Sequence, residues 1–334
     1  MFILAIDSSC DDTAAAVLEG DRSVLANVIS SQFDVHARFG GIVPELASRR
    51  HIEAIWPVVN EALHKAGIPL ERIDMIAATQ GPGLVGSLLV GFTFAKGLAL
   101  VRNIPCVGVD HMAGHLLAAF LETPAPAFPY VALVVSGGNT SLYEVTDYTT
   151  FRPLGHTRDD AAGEAFDKVA KLLNLGYPGG PAISRTATRG RPDSISFPRA
   201  WLDKDSLDFS FSGLKTAVLN HVNRCRQKNE PPAVADICAS FQEAVVEVLV
   251  EKTIKAAVGC GRRTVVLGGG VASNPRLRET MKKRCRELQL RLLVPAPVYC
   301  TDNAAMIGLA GYHQYQLGRT VIPDADVYSR FQVM

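Results

Sequence analysis

The chain has 334 residues, 48% of them hydrophobic and 20% charged, with a net charge of +1. That length exceeds what one ordinary core serves, so two lobes are expected, and the composition excludes a disordered or fibrous chain. A charge so near zero supplies no global field for nucleic acid, and seven scattered cysteines without a Cys-x-x-Cys pair exclude a disulfide framework or a zinc knuckle.

The first run, Phe2–Ile6, is strand-like, with no basic-then-apolar leader before it, so a cytoplasmic location is expected. It meets the turn Asp7-Ser8-Ser9-Cys10-Asp11-Asp12-Thr13 and a second small-apolar strand, Ala14–Leu18. Such a turn can take phosphate on its N–H and hydroxyl groups while its acids hold a cation, and it also suits a plain polar hairpin. Gly40-Gly41 and Pro44-Glu45 read as a loop and a helix start. Ile52, Ile55, Val59, Ala62 and Leu63 then keep helical period up to Gly67, with a kink or break expected at Pro57. A short buried strand at Met75–Ala78 turns through Gln80-Gly81-Pro82-Gly83 into the helix Leu84–Val101. Its uncharged start, Gly81–Ala95, is too short for a bilayer and reads as a buried helix.

Strand Ile104–Val109 ends at Asp110-His111-Met112-Ala113-Gly114-His115. In a helix over 111–122, His111 and His115 fall at i and i+4 on one face, where one cation can take both imidazoles, and Asp110 adds a neighbouring carboxylate. The same spacing suits two hydrogen-bonded histidines at a helix start. Met112 stands where a zinc peptidase helix carries its glutamate base.

Three prolines in Thr123–Pro129 mark a boundary. Beyond it, Tyr130–Val135, the turn Ser136-Gly137-Gly138-Asn139-Thr140 and Ser141–Val145 repeat the grammar of residues 2–18, which points to a duplicated α/β domain with paired phosphate turns. Asp159 or Asp160 can cap a helix running to Leu173, and Asp160, Glu164 and Asp167 share one of its faces. Gly176-Tyr177-Pro178-Gly179-Gly180-Pro181 reads as a loop that a ligand can approach closely. A polar, irregular stretch over 185–211 and helices near Leu214–Arg226 and Ala233–Val258 look like an insertion. Strand Thr264–Leu267 meets Gly268-Gly269-Gly270 and a helix at Pro275, a pattern that suits a nucleotide, or simply a cap by Asn274. After a strand at Leu292–Val294, Asp302 can cap the last helix, Ala304–Leu317. Basic residues gather in the second half at Arg262, Arg263, Arg276, Arg278, Lys282, Lys283, Arg284 and Arg286, either a solvated face or a phosphate-binding one.

The runs at 6–13, 41–49, 81–86, 111–115, 135–140, 162–168, 177–181, 209–216 and 301–303 resemble, in order, those of the bacterial-type tRNA adenosine threonylcarbamoyltransferase family. The resemblance implies the duplicated two-lobed α/β fold shared with actin, sugar kinases and heat-shock chaperones. Its lobes would be 1–123 and 130–300, the second with a helical insertion at about 150–230, and residues 301–334 would pack back on the first. It implies transfer of threonylcarbamoyl from threonylcarbamoyl-AMP to the exocyclic amine of the adenosine beside the anticodon, in tRNAs reading codons that begin with A. It assigns His111, His115 and Asp302 to one metal, usually Fe(II), with Zn(II) also fitting, and Val134, Val135, Ser136, Gly137, Gly138, Asp167, Gly180 and Asn274 to the adenylate. Partners implied are tRNA, a paralogous dimer partner and a small ATPase. Asp11, in a polar turn, is the candidate for orienting or deprotonating the amine. Asn139 departs from the family, where many bacterial members carry histidine. The competing readings are a metal-dependent peptidase and a non-catalytic nucleotide-dependent switch, with a small-molecule kinase behind them.

Overall fold

A computed structural model describes residues 1–203, 205–322 and 324–329. The chain forms two compact units, one of Met1–Ala125, Asp147–Thr150 and Thr301–Met334, the other of Pro126–Thr146 and Phe151–Cys300.

The first unit is built on β1 (Phe2–Asp7), β2 (Asp12–Glu19) and β3 (Ser23–Ser31), which form an antiparallel meander. After α1 (Phe33–Ala37) and α2 (Pro44–Ala66), β4 (Met75–Gly81) adds parallel to β1. Helix α3 (Val85–Arg102) leads to β5 (Cys106–Asp110), parallel to β4, giving the order β3-β2-β1-β4-β5. Helix α4 (His111–Leu117) follows at once. In the second unit β6 (Tyr130–Val135), β7 (Thr140–Val145) and β8 (Phe151–His156) repeat the meander. Helices α5 (Ala162–Leu172), α6 (Gly179–Ala187), α7 (Ser212–Gln227) and α8 (Val234–Gly259) come before β9 (Thr264–Gly268), which is parallel to β6. Helix α9 (Pro275–Glu287) and β10 (Arg291–Leu293), parallel to β9, complete the order β10-β9-β6-β7-β8. Last come α10 (Pro297–Cys300) and α11 (Ala304–Gln316).

Read from β1 and from β6, the two sheets have one topology: hairpin, third antiparallel strand, then two parallel strands reached through helices. The duplication implied by the short sequence repeat therefore extends to whole sheets. In the first unit Leu4, Ile6 and Val17 pack under Ile55, Val59 and Phe92 of α2 and α3. The opposite face of that sheet carries α11. In the second unit Leu133, Val135 and Leu267 share a core with Phe166 and with Phe241, Val245 and Leu249 of α8. All seven cysteines are free thiols.

The structure corrects several local expectations. Helix α2 runs from Pro44 to Ala66 without a break at Pro57 and is closed by Gly67 at φ +65°. Strands β3 and β8 are two further strands, both outermost: β3 carries Val24-Leu25-Ala26 and Val28-Ile29, whereas β8 has no apolar run, and Pro153 is tolerated in β8 because an edge strand leaves one side of its ladder unpaired. Gly179-Gly180-Pro181, read as the end of a loop, open α6, which runs on to Ala187 into the stretch read as irregular from Arg185. Helix α3 is only half-buried, hiding Leu88, Phe92 and Ala95 while exposing Val85, Leu89, Leu100 and Val101. Neither Asp159 nor Asp160 caps α5: the Asp159 carboxylate accepts from Phe211 and Ser212 N–H, and Asp160 pairs with Lys168.

Candidate metal centre and nucleotide turns

In both units the candidate residues sit at the carboxyl ends of the parallel strands, where open α/β sheets place their ligands. Strand β5 ends at Asp110, whose Oδ1 accepts from Met112 N–H at 2.8 Å and Ala113 N–H at 3.1 Å. Asp110 is thus the N-cap of α4 and not part of the histidine face. The cap starts the helix at the strand's last residue and sets His111 and His115 one turn apart, both buried, with ring centroids 4.7 Å apart and planes at 84°. A second cap decides the third donor. Asn303, rather than Asp302, caps α11, accepting from Met306 N–H at 3.0 Å. Asp302 is left to turn toward the histidines: its Oδ1 lies 3.1 Å from His115 Nε2 and 3.4 Å from His111 Nε2. On the far side of the His111 ring, Nδ1 faces Asp7 Oδ2 at 3.5 Å. Asp7 is itself fixed, because its Oδ1 accepts from Thr79 Oγ1 at 2.8 Å and Ser9 N–H at 3.1 Å.

Burial disfavours a charged His111, yet Asp7 and Asp302 more than offset it and raise its pKa well above the ordinary range. Burial would likewise raise Asp302, but the two histidines hold it well below the carboxylate range. The site is thus organised around positive charge. His111 Nδ1, His115 Nδ1 and Asp7 Oδ2 are buried without a hydrogen-bond partner among the described residues. The three donor atoms of His111, His115 and Asp302 lie within 4.8 Å of one another. Two imidazoles and one carboxylate fit a divalent first-row metal with positions left open, and an acid behind one imidazole is the usual outer support. In the adjoining turn, burial and the nearby acids Asp11, Asp302 and Asp7 push Asp12 up to about 7 despite a bond from Ser31. Burial also raises Asp11. This turn is held from below: His51, fully buried, bonds Thr13 Oγ1 at 2.7 Å and the Cys10 carbonyl at 3.0 Å.

The second unit brings its glycine turns together. Val134 and Val135 end β6, and Val134 is paired with Gly268 at the end of β9. The turn that follows is closed by Ser136 N–H to the Asn139 carbonyl at 2.8 Å and Asn139 N–H to Ser136 Oγ at 3.1 Å, leaving Gly137 and Gly138 exposed. Gly269, at φ +83°, passes so close that a Cβ there would lie 2.4 Å from the Val135 carbonyl oxygen. Asn274 caps α9 by accepting from Leu277 N–H at 3.1 Å, and its amide donates to Gln242 at 2.9 Å. Asp167 Oδ1 accepts the Gly179 N–H at 2.7 Å, joining α5 to the start of α6 beside Gly180. Asn139 Oδ1 and Ser273 Oγ are buried without hydrogen-bond partners among the described residues, which leaves polar capacity in these turns.

Of the basic residues in the second half, several are already engaged. Arg276 is paired with Glu243, Arg284 with Glu251 and Arg262 with Glu144, while Arg278 donates to the Ala272 carbonyl. Arg263, Lys282, Lys283 and Arg286 are exposed. The sequence did not single out Thr79, His51 or Tyr328 as neighbours of the centre. Each acts through one or two side-chain hydrogen bonds from a distant element, which leave no periodic trace.

Comparison with known proteins follows from this geometry. The family model described as tRNA N6-adenosine threonylcarbamoyltransferase matches residues 23–309. A protein of that name from Desulfotalea psychrophila is 59% identical over 337 aligned positions, covering 100% of this chain and 98% of its own. One from Clostridioides difficile is 54% identical, covering 95% and 94%. Among solved structures, HypF of T. kodakarensis matches with a TM-score of 0.65 at 15% identity, over 95% of this chain and 48% of that one. The Acidaminococcus fermentans (R)-2-hydroxyglutaryl-CoA dehydratase component A matches at 0.55 and 17% identity, over 95% and 99%. These distant likenesses establish the fold, that of the actin, sugar-kinase and heat-shock-chaperone group. Matched by the family model over most of its length, and more than half identical to relatives along nearly all of it, the chain belongs to the tRNA N6-adenosine threonylcarbamoyltransferase family.

Proposed function

We propose that the chain is an acyltransferase that moves threonylcarbamoyl from threonylcarbamoyl-AMP to the exocyclic amine of the adenosine adjacent to the anticodon, in tRNAs reading codons that begin with A. The observation that carries this reading is the convergence of His111, His115 and Asp302, the last 187 residues from His115, in a chain of this family. Those three residues hold one divalent metal, Fe(II) in our reading, with Zn(II) compatible with the same donors. Bound there, the ion supplies Lewis-acid charge to oxygens of the donor. Asp7 keeps the His111 ring oriented from its Nδ1 side. Val134, Val135, Ser136, Gly137, Gly138, Asp167, Gly180 and Asn274 hold the adenylate, the turn offering backbone N–H groups to phosphate and AMP departing as leaving group. The exposed Arg263, Lys282, Lys283 and Arg286 suit tRNA phosphates. A paralogous dimer partner and a small ATPase complete the system. Ile52 and Trp56 of α2 and Val85 and Leu89 of α3, exposed beside the Trp56–Phe94 contact, are the face we assign to the former.

Asp11 orients or deprotonates the amine. Burial raises its pKa, so the ionised base is lost as pH falls at a higher pH than for an ordinary aspartate. Asp11→Asn is expected to lower transfer by about 10²–10⁴-fold with donor and tRNA binding retained, and to remove that acid limb. Unchanged transfer at full tRNA occupancy would exclude the role. A peptidase reading has no support beside His111, where Met112 replaces the glutamate base. The deciding assay combines the purified chain, threonylcarbamoyl-AMP and unmodified tRNA, with and without candidate partners, and reads the product nucleoside by mass. No threonylcarbamoyladenosine under any of these conditions would reject the reading.

A further inference from the structure

The last described stretch of the chain runs across the first unit's sheet, from the start of β5 to the carboxyl ends of β4 and β5. The Val321 N–H donates to the Cys106 carbonyl at 2.8 Å, and Lys96 Nζ donates to the Ala325 carbonyl at 2.6 Å. Gln80 then holds the strap at two points: its Nε2 donates to the Asp326 carbonyl at 2.7 Å, and its own carbonyl accepts the Tyr328 N–H at 3.1 Å. Tyr328 lies so close over Gly81 that a Cβ there would meet its ring carbons at 2.6 Å. This packing brings the phenol hydroxyl to Asp110 Oδ2 at 2.9 Å.

Asp110 thus has a divided carboxylate: Oδ1 caps the first turn of α4 and Oδ2 takes the phenol. The residue after it is His111. A carboxylate held on one oxygen alone can rotate about its side-chain bonds, and the helix start it caps would follow. Held on both, it fixes the direction in which α4 leaves the strand, and with it the line along which two ring nitrogens meet Asp302.

We propose that Tyr328 is a positioning residue for the metal centre, acting through Asp110: its hydroxyl bond locks the cap of the helix that carries both histidines. The inference rests on the metal reading above, and it concerns a residue 217 positions from His111 whose side-chain hydrogen bond, among the described residues, goes to Asp110 and not to any of the three donors. Burial, with Asp110 beside it, raises the phenol's pKa, so it remains a hydrogen-bond donor throughout the working range.

The test uses the full chain, purified metal-free, with Co(II) and Zn(II) affinities measured by competition against a chromophoric chelator and the Co(II) ligand-field spectrum recorded. Tyr328→Phe keeps the ring over Gly81 and removes the hydroxyl alone; Tyr328→Ala removes both. Outer supports of this kind are worth about 10–100-fold in metal affinity. Tyr328→Phe is therefore expected to weaken binding by about tenfold or more and to shift the Co(II) spectrum, with an unfolding midpoint close to that of the parent. In an Asp110→Asn background the same change is expected to add little, because the two act as one unit. Wild-type affinity and spectrum in Tyr328→Phe would overturn the proposal, and a loss confined to Tyr328→Ala would overturn it in favour of simple packing. His111→Ala, run alongside, separates the two levels: undiminished metal binding there would sink the metal reading itself, whereas its loss there with none in Tyr328→Phe sinks only the role given to Tyr328.

Discussion

Alanine at position 111 is expected to remove bound metal and transfer together, the latter by at least about 10²–10³-fold. The magnitude follows from the geometry. His111 and His115 present their Nε2 atoms to the same Asp302 oxygen, at 3.4 and 3.1 Å, so each ring supplies its own position in the donor set. Removing the imidazole also leaves Asp7 Oδ2 and Asp302 without the partner between them, and loss of one partner from a buried charged cluster costs on the order of 3–5 kcal/mol. Some of the effect would then appear in stability. Asp302→Asn separates the two, because it keeps volume and hydrogen bonding while discarding the charged donor. Elemental analysis of both variants against the parent is the measurement, and full metal content in either one would refute the assignment.

Gly269→Ala is the second large change, and it acts in the other unit. The backbone there adopts φ +83° and ψ +158°, a region open almost only to glycine, which costs about 1–3 kcal/mol for another residue. The new methyl would also lie 2.4 Å from the Val135 carbonyl oxygen and 2.7 Å from its carbon, both backbone and unable to yield cheaply. Overpacking of this kind adds about 1–3 kcal/mol. A total of roughly 2–6 kcal/mol is expected in urea unfolding, with adenylate affinity falling because the β6 and β9 turns are forced apart. Gly138→Ala is the comparison, since a Cβ there meets nothing within 4 Å. Equal stability of the two variants, both near the parent, would contradict this account of the turn.

The features most legible in the sequence are those carried by short-range pattern. The i, i+4 histidines at the end of an apolar run placed the donor pair, and two hairpins with matching turns revealed the duplication before either sheet was visible. What stayed hidden depends on contacts between distant elements. From sequence, Asp302 reads as a cap for α11; the folded chain gives that cap to Asn303 and frees Asp302. Asp110 reads as a third member of the histidine face, but a residue at a strand end that precedes a helix has its carboxylate drawn to the free N–H groups of that helix. Strand β8 lacked signal because an outermost strand is wetted along one side and needs no continuous apolar run.

The ion pairs on and near α9 carry a consequence for the salt dependence of the tRNA contact proposed for this face. Counting every basic residue from Arg262 to Arg286 suggests eight displaced counterions, but Arg276, Arg284 and Arg262 already spend their charge on Glu243, Glu251 and Glu144. Arg278 is turned inward to a carbonyl. Four cations remain on that surface, Arg263, Lys282, Lys283 and Arg286. Each neutralised phosphate contributes a slope of about −0.7 to −0.9 in log K against log salt, so this surface by itself gives a slope near −3 rather than near −6 or −7. Affinity supplied by this surface would then be smaller, and lost less steeply with salt, than eight free cations would give, and the carboxylates behind it act as a built-in limit on indiscriminate polyanion binding.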